Sequence, residues 1–293
     1  DAQESRGLGD VYKRQVVIQE EADREGDRVV LRASTDGARH VRVRGCDFRE
    51  GEVLLQAGLR LNPWRIALAA SAGRAVLRCG TAPCVAILST GDELIEPGQS
   101  AGPHQIYNSG APSLSAFASR HAGVAHVLPS AADDAQAIAR TVAGAAFDLL
   151  VTVGGASVGD HDLVKPAVRG LGGVLAVEGV AMRPGKPVWF ARLPDGRPVL
   201  GLPGNPASAL VGAELFLAPI LAALQGAQAE NRFETAVLGQ ALAANGPRDH
   251  YIRAEASPGP DGARIVRPFA DQDSSLVLSL IHISEPTRLL SIS

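Results

Sequence analysis

A chain of 293 residues with 46% hydrophobic and 20% charged residues is globular rather than disordered, and long enough for two or three domains. A net charge of −3 and only 4% aromatic residues exclude a broad basic or base-stacking surface for nucleic acid. Three scattered cysteines (Cys46, Cys79 and Cys84) make no disulfide framework or zinc pattern, no apolar run approaches a bilayer span, and no secretory signal is visible, so a cytoplasmic protein away from membranes is expected.

Residues 1–15 and 278–293 match neither the rhythm nor the composition of what lies between them. "SLIHISEPTRLLSIS" is rich in Ser, Ile and Leu, in a chain otherwise dominated by Ala, Gly, Val and Arg. Both ends read as foreign sequence, and the natural protein is expected to be cut at both. Residues 16–82 read as a partial β-rich N-terminal domain. "DRVVLRA" and "HVRVRG" alternate like half-buried strands around an Asp36-Gly37 turn, "FREGEVLLQAGLRL" gives a turn and a further strand, and Asn62-Pro63 opens a short helix that Gly73 ends. From residue 83 to 226 short apolar strands alternate with helices: "CVAILS", a helix near 109–122, "VAHVLP", a helix near 133–146 capped by Asp133 or Asp134, "FDLLVTV", a helix near 162–171, "PVWFARL", "RPVLGLP", and a long Ala/Leu helix over 206–224. That order predicts an α/β fold with a doubly wound, mostly parallel sheet, whose ligands gather beyond the carboxyl ends of the strands. Residues 227–277 return to strands, as a partial C-terminal β domain.

Four stretches follow predicted strands and carry chemistry. Ser89-Thr90-Gly91-Asp92-Glu93 offers hydroxyls, a tight turn and two acids; alone it is better read as a helix or turn start. Gly154 and Gly155 let a ligand approach the backbone, and the Ser157, Asp160 and Asp162 that follow combine an anion cradle with two acids. A glycine turn with an Asp helix cap explains one acid; a Mg²⁺ ion between carboxylates and a phosphate explains both. Arg183-Pro184-Gly185-Lys186-Pro187 fixes two cations on a rigid loop in a chain with only three lysines. It reads as a phosphate contact or as a strand-entry turn. In Gly201-Leu202-Pro203-Gly204-Asn205-Pro206, followed by Ser208, Asn205 and Pro206 suit a helix cap and first turn. Gly201 and the rigid Pro203-Gly204 are left without a reason.

Together, "VAILSTGDELIEPGQ", "QIYNS", "VTVGGASVGDHDLVK", "AMRPGKPVWFARL" and "GLPGNPASAL" resemble the molybdopterin molybdenumtransferase family, in family order, over about Val16 to Asp271. The resemblance implies a molybdopterin-binding α/β core flanked by β-rich regions. It implies insertion of molybdate into adenylylated molybdopterin with release of AMP, supported by Mg²⁺, in a homodimer that takes its substrate from an adenylyltransferase. Carried over by position, Asp92, Glu93, Asp160 and Asp162 are the catalytic acids and Mg²⁺ ligands. Thr90, Gly154, Gly155, Ser157, Arg183, Lys186, Pro203, Gly204, Asn205 and Ser208 bind the pterin nucleotide. Arg183 stands where relatives often carry lysine, Asn108 where many carry Asp, and Gly110 where they carry Asn. The family's acid in a "DGYA" string near the start has no counterpart here, so this chain is expected to be weak or inactive. Alternatives are the related molybdopterin adenylyltransferase and a non-catalytic pterin-binding scaffold.

Overall fold

The computed structural model describes residues 19–32, 42, 44–130, 134–155, 163–228, 233–259, 262–276 and 290–292. The chain forms two compact units: residues 1–56 with 61–75, and residues 57–60 with 76–293.

In the first unit β1 (Ala22–Glu25) and β2 (Arg28–Leu31) form an antiparallel hairpin. Gly26 turns it at φ +64°, a conformation that suits glycine. Helix α1 (Pro63–Ser71) starts as expected, with the Asn62 side chain accepting from the Arg65 N–H at 2.9 Å. The Asp36-Gly37 turn and most of "HVRVRG" lie outside the described residues. The strand expected within residues 48–61 does not form; Gly51 and Gly58, at φ +88° and +84°, hold turns instead.

The second unit is built on a six-stranded sheet. In chain order its elements are β3 (Cys84–Ser89), β4 (Leu94–Ile95), β5 (Ile106–Tyr107), α2 (Gly110–Arg120), β6 (Val124–Val127), α3 (Ala135–Gly144), β7 (Leu149–Val153), α4 (Val164–Gly170), β8 (Val174–Val177), β9 (Met182–Arg183), β10 (Trp189–Arg192), β11 (Pro198–Leu202) and α5 (Pro206–Leu224). Strands β12 (Val237–Leu238), β13 (Asp249–Ile252), β14 (Ala254–Pro258), β15 (Arg264–Pro268) and β16 (Leu290–Ile292) follow. The main sheet runs β6-β3-β7-β11-β10-β8, with β6, β3, β7 and β11 parallel and β10 antiparallel to both its neighbours.

The period-2 pleat explains why the strand sequences are apolar throughout. Val85, Ile87, Leu149, Val151, Val153, Leu200 and Leu202 pack on one face against α2 and α5. Ala86, Leu88, Leu150 and Val199 pack on the other against α3 and α4. The sheet is therefore doubly wound, as the alternation of strands and helices implies. Asp134 caps α3, accepting from the Gln136 and Ala137 N–H groups at 3.0 and 3.3 Å.

Two expectations need correction. Helix α5 is, by length and composition, apolar enough to cross a membrane, although the sequence reading finds no such run. Here its Ala209, Ala213, Leu217 and Leu221 are core residues packed on the sheet. Asn205 precedes α5 but its side chain makes no cap bond. Its Nδ2 donates instead to Ser274 Oγ at 3.0 Å, while the Ala207 N–H donates to the Ser274 carbonyl at 3.1 Å. A loop nearly seventy residues away covers the helix start.

Candidate active site

Strands β3, β7 and β11 lie side by side, and their last residues are in register: Ser89 opposite Val153, and Val153 opposite Leu202. Thr90, Gly154 and Pro203 consequently leave the sheet along one edge. The Thr90 N–H donates to the Val153 carbonyl, and the Gly154 N–H to the Leu202 carbonyl, both at 3.2 Å. Gly154 (φ +91°) and Gly155 (φ +59°) need to be glycine twice over. A Cβ on Gly154 would stand 2.4 Å from the Thr90 carbonyl oxygen, and one on Gly155 2.8 Å from Thr90 Oγ1. Gly204 completes the row, its Cβ direction 3.4 Å from Gly154 Cα. Thr90 is buried, and its Oγ1 has no hydrogen-bond partner among the described residues. Asp92 and Glu93 follow in the same turn, exposed at the surface. Ser157, Asp160 and Asp162 lie outside the described residues.

Gly201, left unexplained by sequence, is explained by its neighbour. It pairs with Trp189, and a Cβ there would lie 2.0 Å from the indole Cε2 and Nε1. The fully buried indole occupies the space a side chain would need.

A cavity of about 630 Å³ is lined in part by Pro203 and Asn205. The 182–187 loop, Asn205 and Ser208 line it, together with Arg248, His250, Tyr251 and the 271–274 loop. Backbone bonds from Val180 N to Lys186 O and from Val188 N to Gly185 O brace the cationic loop. Gly185, at φ +107°, leaves room for Met182. Strand β9 runs parallel to β13, with Arg183 opposite His250. Arg183 and Lys186 are thus brought together with Arg248, and none of the three forms an ion pair among the described residues. Arg253 is buried and donates to the carbonyls of Asp271, Asp273 and Leu276, which shapes the far wall. The Asp273 carboxylate accepts from the Ser275 N–H and hydroxyl, contacts that lower its pKa. Burial, reinforced by Arg183 and Arg248, holds His250 below the ordinary imidazole value. The cavity therefore has the charge of an anion site.

Sequence reasoning missed Arg248, His250 and the 271–274 loop. The only local signal is the charge density of "RDHYIR"; nothing in it points to the 182–187 loop. Asp92 and Glu93 are not part of this cavity's lining. No group of three or more His, Cys, Asp or Glu side chains suited to a metal occurs among the described residues.

A family profile described as "Probable molybdopterin binding domain" matches residues 86–223, and one described as "MoeA N-terminal region (domain I and II)" matches residues 13–73. A molybdopterin molybdenumtransferase of a Nostoc strain is 34% identical over 215 residues, covering 72% of this chain and 49% of that protein. Molybdopterin molybdenumtransferase 2 of Mycobacterium tuberculosis is 35% identical over 295 residues, covering 94% of this chain and 72% of the relative. The chain thus spans about half the length of the first relative and under three quarters of the second. The crystal structure of a molybdopterin biosynthesis MoeA protein from Pyrococcus horikoshii is similar with a TM-score of 0.67 and 26% identity, over 95% of this chain and 69% of that one.

Proposed function

Because the chain belongs to the molybdopterin molybdenumtransferase family, we propose that it inserts molybdate into adenylylated molybdopterin and releases AMP. In this reading it acts as a cytoplasmic homodimer and receives its substrate from an adenylyltransferase. The observation that carries the reading is the cationic cavity of Arg183, Lys186 and Arg248, which shares the Pro203–Asn205 loop with the Thr90–Gly154–Gly155 edge. The reaction requires two anions close together, a nucleotide-bearing pterin and a metal oxyanion.

Each group has a role. Gly154, Gly155 and Gly204 keep the strand ends close-packed, and the pterin nucleotide lies along the edge they form. Lys186, Arg183 and Ser208, assigned to the pterin nucleotide by resemblance, line the cationic cavity with Arg248 and in this reading bind the oxyanion instead. Asn205 holds the shared loop through Ser274. Asp92 and Glu93, with Asp160 and Asp162, are the acids that would hold Mg²⁺. Asp92 and Glu93 are exposed carboxylates, which suit an ion that completes its shell with water and phosphate oxygens. When bound, Mg²⁺ would neutralise phosphate charge and polarise the bond to be broken.

The test is AMP release from adenylylated molybdopterin in the presence of Mg²⁺, with and without molybdate. Release that requires molybdate is expected, weak in this chain because the family's "DGYA" acid has no counterpart in it. Release indifferent to molybdate, or ATP-dependent transfer of AMP onto molybdopterin in its place, would overturn the assignment.

A further inference from the structure

Asn108 is 2% exposed. Its Oδ1 accepts from Ser89 Oγ at 3.1 Å and from the Ala111 N–H at 3.2 Å. The first bond reaches the last residue of β3, and the second caps the second residue of α2. Its Nδ2 donates to Glu96 Oε1 at 3.2 Å, and the same oxygen accepts from Ser130 Oγ at 3.2 Å. Two backbone bonds run parallel to these: Ile106 N to Glu93 O and Asn108 N to Ile95 O, both 2.8 Å. The turn that carries Asp92 and Glu93 is therefore held at its start by Ser89 and at its end by the β4–β5 pair. Asn108 belongs to both restraints.

We propose that Asn108 is a positioning residue for the Asp92–Glu93 turn, and that Glu96 is what requires an amide at this position. The Asn108 side chain both accepts and donates, which an ionised carboxylate in its place cannot do. A carboxylate at 108 would still accept from Ser89 and Ala111. It would also bring a second acid to hydrogen-bond distance of Glu96, so one of the pair would have to be protonated. Glu96 is the titratable side chain bonded to Asn108 among the described residues. Ser89, Ser130 and Ala111 are neutral, and the Tyr107 hydroxyl donates away, to the Gln99 carbonyl. The role in catalysis rests on the proposed function; the amide–carboxylate pairing does not.

The experiment compares the full chain with Asn108→Asp, Glu96→Gln and the double variant, in melting temperature between about pH 5 and 8 and in AMP release. In Asn108→Asp the folded carboxyl pair takes up a proton more readily than in the unfolded chain. Stability is then retained at low pH and lost as pH rises from the ordinary carboxylate range through the raised folded pKa. A falling melting temperature over that range is expected, with kcat reduced about tenfold and KM little changed, because the acids are displaced rather than removed. Glu96→Gln keeps an oxygen for Asn108 and Ser130. In the double variant the amide introduced at position 96 can donate to the carboxylate introduced at position 108, so both properties should be restored. If Asn108→Asp melts like the parent at the top of the pH range, or if Glu96→Gln fails to rescue it, the pairing is refuted. If the melting cycle behaves as expected while AMP release is absent from every form including the parent, the pairing stands and the proposed function fails. If melting behaves as expected and kcat is unaffected, the positioning role is refuted.

Discussion

Replacing Gly154 by Ala places a methyl group at the junction of three strands. The backbone there is at φ +91°, which costs a residue with a side chain about 1–2 kcal/mol. The new Cβ would stand 2.4 Å from the Thr90 carbonyl oxygen, so the turn after β3 has to move by most of an ångström. Moving it strains two backbone bonds, Thr90 N to Val153 O and Gly154 N to Leu202 O. At about 1 kcal/mol each, partial loss brings the total to about 2–4 kcal/mol. Urea denaturation followed by tryptophan fluorescence reads this well. The chain has two tryptophans; Trp189 is fully buried in the affected sheet, while Trp64 is 82% exposed and reports little. With a slope near about 2 kcal/mol per molar urea, the midpoint should fall by about 1–2 M with the slope unchanged. A midpoint shift under about 0.2 M would show that the edge is loose enough to absorb a methyl, and the close-packed account of it would be wrong.

Gly201→Ala should destabilise by about 1–3 kcal/mol through overpacking against Trp189, and Trp189→Leu in the same chain should recover part of that loss; equal losses with and without Trp189 would contradict it. His250 should titrate below the ordinary histidine value in a proton NMR titration, because burial and the neighbouring Arg183 and Arg248 disfavour its cation. Its folded pKa lies below its unfolded one, so its contribution to stability is present above the unfolded pKa and declines as pH falls through the window beneath it. His250→Gln should flatten that window, and a titration midpoint at or above the unfolded value would exclude the cationic environment. Oxyanion binding, by offsetting the two arginines, should raise the midpoint.

Much of the second unit is legible in sequence because its central strands are buried on both faces. "CVAILS", "LLVTV" and "PVLGL" carry no polar alternation and could only be inner strands of a covered sheet. The glycine pair after β7 is legible as a place that needs glycine, but the packing supplies a reason other than a ligand: the Thr90 carbonyl and hydroxyl fill the space of any Cβ. What local pattern does not carry is partnership over distance. Asn205 has every property of a helix cap, yet Ser274 takes its side chain, and no sequence rule reaches from 205 to 274. Gly201 makes sense only once register sets it opposite Trp189. Arg248 and His250 join Arg183 because β13 pairs with β9, a two-residue strand too short to announce itself. The "FREGEVLLQAGLRL" stretch misleads for the opposite reason: its apolar residues suggest a strand, but Gly51 and Gly58 turn it.

The central claim is a division of labour, with the oxyanion proposed in the cationic cavity and the pterin nucleotide on the glycine edge. Calorimetric titration of the parent and of Lys186→Ala, first with molybdate and then with adenylylated molybdopterin, tests it most directly. Loss of one charged contact should weaken molybdate binding about ten- to hundredfold while nucleotide affinity changes little. Unchanged molybdate affinity in Lys186→Ala, or an equal loss for both ligands, would contradict the division.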